Sequence, residues 1–270
     1  MMRFEFRIPN SEGGDSRQPT SNCARRVVIP AKAQPEAGIS SLTTKLLTII
    51  LLTFFLLALI LPLCVSAQET FTDARDGHQY QAVVIGKQTW MAENLAFLPK
   101  VDKVYTGLFE EECHYVYGYD GVNTDEARKQ AEFEKYGVLY NWVAARSACP
   151  SGWHLPTDRE WMELEKFIGI ADNEIIHRDW RTSGDAGTKL KSASGWKLGN
   201  GTDAYGFKVL PGGCRGYEGF QSDGYAGYFW TASTIDGDNG WRRGICSDSP
   251  GIARQEDRRY FGCSVRCVKN

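Results

Sequence analysis

Hydrophobic and polar positions divide this chain into two unlike parts. From Leu46 to Leu63 eighteen residues run without a charge and with Thr48 and Thr53 as the only polar side chains, whereas residues 68–270 alternate short apolar stretches with glycine and charge. As a helix the apolar run spans roughly 27 Å, about the thickness of a hydrocarbon core. Pro62 breaks it, and Val65-Ser66-Ala67 places small side chains at the −3 and −1 positions of a leader-peptidase site. The pattern favours a signal peptide cleaved after Ala67. Retention as a signal-anchor and lipidation at Cys64 are the alternatives, with Leu63 standing where a lipoprotein site has Gly, Ala or Ser. Arg25, Arg26 and Lys45 precede the run, so each reading places the C-terminal part across the membrane. Residues 1–45 carry no hydrophobic period and are read as a disordered extension or a misassigned start.

After residue 67 the pattern predicts elements in order. Tyr80–Ile85, a tip at Gly86-Lys87 and Gln88–Met91 read as a hairpin. Pro99–Gly121 alternates aromatic, acidic and glycine residues and is expected to be variable surface, followed by a short charged helix or loop over Asp125–Lys135. A first helix is predicted through Asn141–Arg146, ending at Cys149-Pro150. Thr157 with Glu160 forms a capping box that opens a second helix, Asp158–Ile168, with Trp161, Leu164 and Ile168 beside Phe167 as its apolar stripe and Gly169 as its C-cap. Short strands are then expected at 204–210, 224–231, 240–245 and 263–268. This order is α+β rather than repeating βαβ, and it shows no internal repeat.

Composition sharpens the division. Residues 68–270 form a working unit of 203 residues holding every tryptophan, with 24 Lys and Arg against 29 Asp and Glu, a net charge of −5. Such a unit buries about three quarters of its unfolded surface, and its mild acidity argues against nucleic acid as a partner. Six cysteines remain in it: Cys113, Cys149, Cys214, Cys246, Cys263 and Cys267. An even count in an exported chain points to disulfides. A closed zinc site is disfavoured because Cys263 and Cys267 have no companion pair and His78, His114, His154 and His177 are scattered.

Blocks at Thr89–Leu95, Tyr136–Trp142, Cys149–Trp161, Gly206-Phe207 with Leu210–Gly213, Phe229–Ser233 and Ser264–Val268 resemble, in order, the Fibrobacter succinogenes major paralogous domain family. The resemblance covers residues 71–270. It implies an exported, often lipid-anchored surface protein with a C-type-lectin-like fold of two helices and short twisted antiparallel sheets, similar at fold level to the formylglycine-generating enzymes. It also implies a bridge from Cys149 to Cys267. Cys113, Cys214, Cys246 and Cys263 depart from the family pattern; Cys214–Cys263 is the expected second bridge, with Cys214–Cys246 as its rival.

The residues are compatible with three functions. Recognition of a glycan or a cell-surface protein rests on aromatics between glycines, Tyr217, Phe220, Tyr225, Tyr228 and Trp241, with Arg215 and Arg242, beside Arg243, as hydrogen-bond donors. A formylglycine-generating type of catalyst would need a reactive thiol at Cys214 or Cys263 in an electropositive setting; neither a G-x-S-x-G nor an H-E-x-x-H motif occurs. His154 is expected to be packed rather than a general base. A structural part in a surface assembly is the third. Asp236, Asp238 and Asn239 are the nearest to a Ca2+ loop, though the same residues form turns, which is the preferred reading. The expectation is a non-catalytic, exported recognition module of the cell surface or periplasm, attached to the membrane if its leader is retained.

Overall fold

The structure, a computed structural model, describes Leu46, Ile50, residues 69–106 and residues 110–270. The chain divides into two units, 1–63 and 64–270. In the first, Leu46 and Ile50 are helical and exposed. The apolar run otherwise, the cleavage site and Cys23 and Cys64 lie outside the described residues. Among those described, no helix is long and apolar enough to cross a membrane.

The second unit is α+β. Its first sheet holds β1 (Glu69–Thr72), β2 (Gln79–Ile85), β3 (Gln88–Met91), β13 (Val268–Lys269) and β6 (Trp153–His154), in that spatial order. The predicted hairpin is β2–β3, with Gly86 at φ +64 supplying the left-handed backbone its tip requires. β2 buries side chains on both faces, Tyr80 and Ala82 on one and Val83 and Ile85 on the other, while Val84, near the tip, is exposed. β13 inserts between β3 and β6, so Val268 pairs with both neighbours inside the sheet.

Two short helices follow the hairpin, α1 (Thr124–Ala127) and α2 (Ala131–Tyr136), and then α3 (Trp142–Ala148) and α4 (Asp158–Ile168). Asn141 caps α3, its side-chain oxygen accepting from the Ala144 and Cys113 N–H groups at 3.0 Å each. α4 has the predicted capping box and a left-handed Gly169 at its end. Trp161, Leu164 and Ile168 are buried as expected, but Phe167 lies outside the stripe and is 56% exposed. The family-implied bridge joins Cys149, after α3, to Cys267, before β13, with Cα atoms 5.9 Å apart. It closes 118 residues, a constraint on the unfolded chain of about 5 kcal/mol.

The second sheet has the order β7 (Asp179–Arg181), β12 (Ile252–Arg258), β11 (Asn239–Cys246), β10 (Ala226–Thr234), β8 (Gly212–Gly216) and β9 (Gly219–Asp223). α5 (Ala186–Leu190) packs near its β7 edge, and β4 (His114–Tyr115) pairs with β5 (Leu139–Tyr140) in a separate ribbon. Among the described residues two large apolar clusters fill the interior, beside a small third around Cys113, Tyr115 and Leu139. One centres on Tyr80, Met91, Tyr140, Trp142 and Trp230, the other on Trp90, Trp161, Phe207, Phe229 and Ile245.

Three expectations change. The stretch 99–121 is surface only in part, since Val101, Val104, Cys113, Tyr115 and Val116 are buried while Tyr105 and Glu110–Glu112 are exposed. Its acids hold the backbone instead: Asp120 accepts from the Val104 N–H at 2.8 Å and Asp102 from that of His114 at 2.9 Å. Residues 204–210 form turns rather than a strand, with Val209 alone bridging to Lys191. The Phe207 and Lys208 carbonyls that a sheet neighbour would take are taken by the Arg266 guanidinium. The expected strand 263–268 reaches ladder form only at β13. Before that it crosses between the sheets, Cys263 bridging to Tyr140 and Ser264 to Phe229.

Candidate functional site

The residues expected to form an aromatic binding surface do not share one. Arg215 is buried, donating to the carbonyls of Tyr260 at 3.1 Å, Thr106 at 3.3 Å and Val104, and so pins loops together. Trp241 is 9% exposed, with the Arg254 and Arg178 guanidiniums 3.7 Å and 5.1 Å from its ring centre. Arg242 ion-pairs with Asp257 at 2.7 Å and lies over Tyr228 at 4.2 Å. Phe220 packs on Tyr117. Tyr217 and Tyr225 are exposed, but they stand at opposite ends of β9. Lys197 covers the Tyr225 ring at 4.5 Å. Of the seven, Tyr228 and Arg242 are brought together, and Trp241 and Arg215 are withdrawn into packing.

The calcium candidates build a turn. Asp236 accepts from the backbone N–H groups of Asp238 and Asn239 at 2.8 and 2.7 Å and from the Asn239 side chain, while Asp238 pairs with Arg258 at 3.3 Å. Among the described residues no group of three or more His, Cys, Asp or Glu gathers to hold a metal. His154 is not packed but half-exposed, its ring nitrogens 2.8 Å from Glu160 and 2.6 Å from Asn270. Cys214 and Cys263 do not form the expected second bridge; both, like Cys246, are free thiols. Burial pushes the Cys214 and Cys246 thiols up to about 11 and Cys263 higher still, so none supplies a thiolate at neutral pH.

Charged side chains concentrate in two other places, neither announced by a motif. The first is closed. Glu165 of α4, wholly buried, accepts from Arg181 at 2.7 and 2.8 Å and from Arg243 at 2.5 Å; Asp158, two turns earlier on the same face of the helix, accepts from Arg243 at 2.7 Å and from Arg254 at 2.7 Å. The Arg243 and Arg254 charges draw the Asp158 carboxyl below its ordinary value against a burial effect that pushes it up. Every carboxylate oxygen is occupied, so this network fastens α4 to β7, β11 and β12.

The second place is open, a cleft of about 690 Å³ lined by Glu93, Asn94, Tyr136, Ser192, Asp203 and Lys208 among others. That volume falls in the range of small-molecule sites. The loop after β3 shapes one wall. Gly137, at φ +72, lets this wall meet the end of α2, since a Cβ there would come within 2.7 Å of the Leu95 carbonyl. The Asn94 amide donates to the Tyr136 carbonyl at 2.9 Å, and the Tyr80 hydroxyl accepts from the Ala96 N–H at 2.9 Å. The loop is thereby held at both ends.

Beneath the cleft lies Arg266, wholly buried. It donates to Asn94 Oδ1 at 2.9 Å, the Lys208 carbonyl at 2.9 Å, the Met91 carbonyl at 3.3 Å and the Phe207 carbonyl, and its guanidinium sits 4.8 Å from the centre of the Phe207 ring. All four acceptors are neutral. Burial pushes the guanidinium down from the ordinary arginine value, while the Glu93 and Asp203 carboxylates hold it up. Asp203 accepts from the Lys208 N–H at 2.7 Å, and its burial raises it. Glu93, half-buried, has no hydrogen bond or ion pair among the described residues. The cleft therefore presents a carboxylate ready to accept, held near a fixed positive charge.

Sequence reasoning placed Glu93, Asn94, Tyr136, Gly137, Leu210 and Arg266 within its ordered blocks and gave those blocks to the fold alone. Their convergence on one cleft is visible only in three dimensions. Residues 83–269 match the family described as Fibrobacter succinogenes major domain. Neither the comparison with curated proteins nor that with solved structures finds a match.

Proposed function

Because the chain belongs to the Fibrobacter succinogenes major domain family, whose description specifies no activity, we propose a function from its own cleft: an exported, non-catalytic recognition module that binds a hydroxyl-rich ligand, a glycan, between Glu93 and Asp203. The unpartnered Glu93 carboxylate carries this reading. Sugar hydroxyls donate to carboxylates, and charged acceptors bond more strongly than neutral ones. Half-buried Phe133 offers apolar surface for a ring face on the same cleft. A C-type-lectin-like fold accords with the two longer helices and the short antiparallel sheets, and the site works without Ca2+ because its acceptors are side chains of the cleft itself.

Export accords with the apolar run ahead of Val65-Ser66-Ala67 and with the Cys149–Cys267 bridge. The module then faces the periplasm or cell exterior, whether released, lipidated at Cys64 or retained by its leader. A catalyst of the formylglycine-generating type would draw on Cys214 or Cys263, which burial keeps protonated.

A glycan array probed with the purified chain, with and without a calcium chelator, tests the proposal. Expected are hits that persist in chelator and weaken at least about tenfold in Glu93→Gln, a loss of about 1.4 kcal/mol. Calcium-dependent hits, or hits untouched by that substitution, contradict the site. A blank array contradicts the glycan and favours a structural part in a surface assembly.

A further inference from the structure

The register around Cys214 and Cys263 carries an inference independent of the cleft's ligand. Arg215 and Gly262 form an antiparallel bridge and exchange both backbone hydrogen bonds, at 2.9 and 2.8 Å. One step along each chain from such a pair lies a pair without mutual backbone bonds, whose Cα atoms approach to about 4.5 Å and whose side chains share a face. Here that pair is Cys214 and Cys263. On its far side Cys263 exchanges backbone hydrogen bonds with Tyr140, at 2.9 and 2.8 Å, so its N–H and C=O point away from Cys214, as the alternation demands. A Cβ on Gly262 would come within 3.0 Å of the Arg215 Cβ, which confirms the direct opposition one step earlier. Both thiols are buried in the same cluster, and both lie beside the Arg242 guanidinium. A separation of that size is within the span a disulfide bridges.

The geometry points to Cys214–Cys263 as a site of reversible disulfide formation, the free thiols being the reduced state of a facing pair. The reaction is thiol exchange with an external disulfide, such as an oxidised dithiol carrier. In the folding chain, before burial raises the two groups, Cys214, as thiolate, attacks one sulfur of the external disulfide and releases the other as a thiol; Cys263, as thiolate, then attacks the Cys214 sulfur and displaces the second. One external disulfide becomes two thiols, and the chain loses two hydrogens. Burial and raised thiol values make the folded pair slow to react, so the bond closes while the chain folds. Once closed it ties β8 to the segment that carries Arg266, three residues on. The rival partner, Cys246, lies at the end of β11, where it opposes Ala226 of β10.

The first test uses the parent chain. The full chain is reduced, unfolded, and refolded in mixed oxidised and reduced glutathione, then alkylated in denaturant and mapped by mass spectrometry. Expected are two linked peptides, Cys149–Cys267 and Cys214–Cys263, with alkylation of Cys214 and Cys263 falling at least about tenfold against a fully reduced control. Graded dithiothreitol should then restore both labels together. Refolded chain that holds Cys149–Cys267 yet labels Cys214 and Cys263 fully overturns the inference, as does a Cys214–Cys246 peptide. In Cys214→Ser, Cys263 should remain alkylatable under the same oxidising conditions; its disappearance into another bridge would also count against the pair.

Discussion

Glu165 and Arg266 are both charged, both wholly buried and both multiply hydrogen-bonded, yet they belong to different kinds of structure. Glu165 faces two guanidiniums and leaves no acceptor unused, so its charge is spent inside the protein. Arg266 faces only carbonyl oxygens, and the nearest carboxylates, Glu93 and Asp203, stand in an open cleft. Removing either charge from water is costly. In the first region opposite charge offsets that cost locally; in the second the offset is partial and reaches to the surface. Closed compensation reads as architecture, and open compensation is what the proposed ligand would complete.

The largest expected effect comes from breaking the closed set. Glu165→Gln leaves Arg181 and Arg243 facing a neutral amide and should cost about 3–5 kcal/mol of stability in urea unfolding. A cost below about 1 kcal/mol would dissolve the distinction between the two regions.

A buried group kept neutral comes next. His114 is 4% exposed and its Nδ1 lacks a partner; burial pushes it from 6.5 to about 4, Lys100 adding to the fall while Asp102 and Glu112 oppose it. The unfolded chain then binds the proton at higher pH than the folded one, so stability drops as pH falls from about 6.5 to 4, by about 3 kcal/mol in all, and no further from this group below that. The pH dependence of unfolding should flatten over that window in His114→Gln.

Arg266→Met, which removes a charge and leaves neutral acceptors behind, should cost about 1–3 kcal/mol, less than Glu165→Gln. Equal losses would mean that the floor of the cleft is as tightly compensated as the network on α4. Glu93→Gln should change stability by no more than about 0.5 kcal/mol, because this carboxylate makes no bond that folding needs.

Much of the fold was legible in the chain. The β2–β3 hairpin, the helix from Asp158 to Ile168 with its capping box, and the strands at β10 and β11 follow from local periods and caps that physics enforces over a few residues. The stretch 99–121 was misread because aspartates in a polar segment look solvated until their backbone partners, Val104 and His114, are in place. Residues 204–210 were misread because Arg266, some 60 positions away in sequence, takes the carbonyls a strand would need. The aromatic candidates are dispersed for a similar reason. An aromatic between glycines has the same local signature whether it is exposed, as Tyr217 is, or buried against arginines, as Trp241 is. The Glu165 network was hidden inside a helical stripe, where Asp158 and Glu165 sit among apolar positions without any motif to mark them.

The most direct test of the account is a binding isotherm for an array-selected glycan, measured on the parent chain, on Glu93→Gln and on Tyr217→Ala, with thermal unfolding of each beside it. Glu93→Gln is expected to bind at least about tenfold more weakly with an unchanged melting temperature while Tyr217→Ala binds like the parent. Affinity lost in Tyr217→Ala and kept in Glu93→Gln would contradict it and return the site to the aromatic loop between β8 and β9.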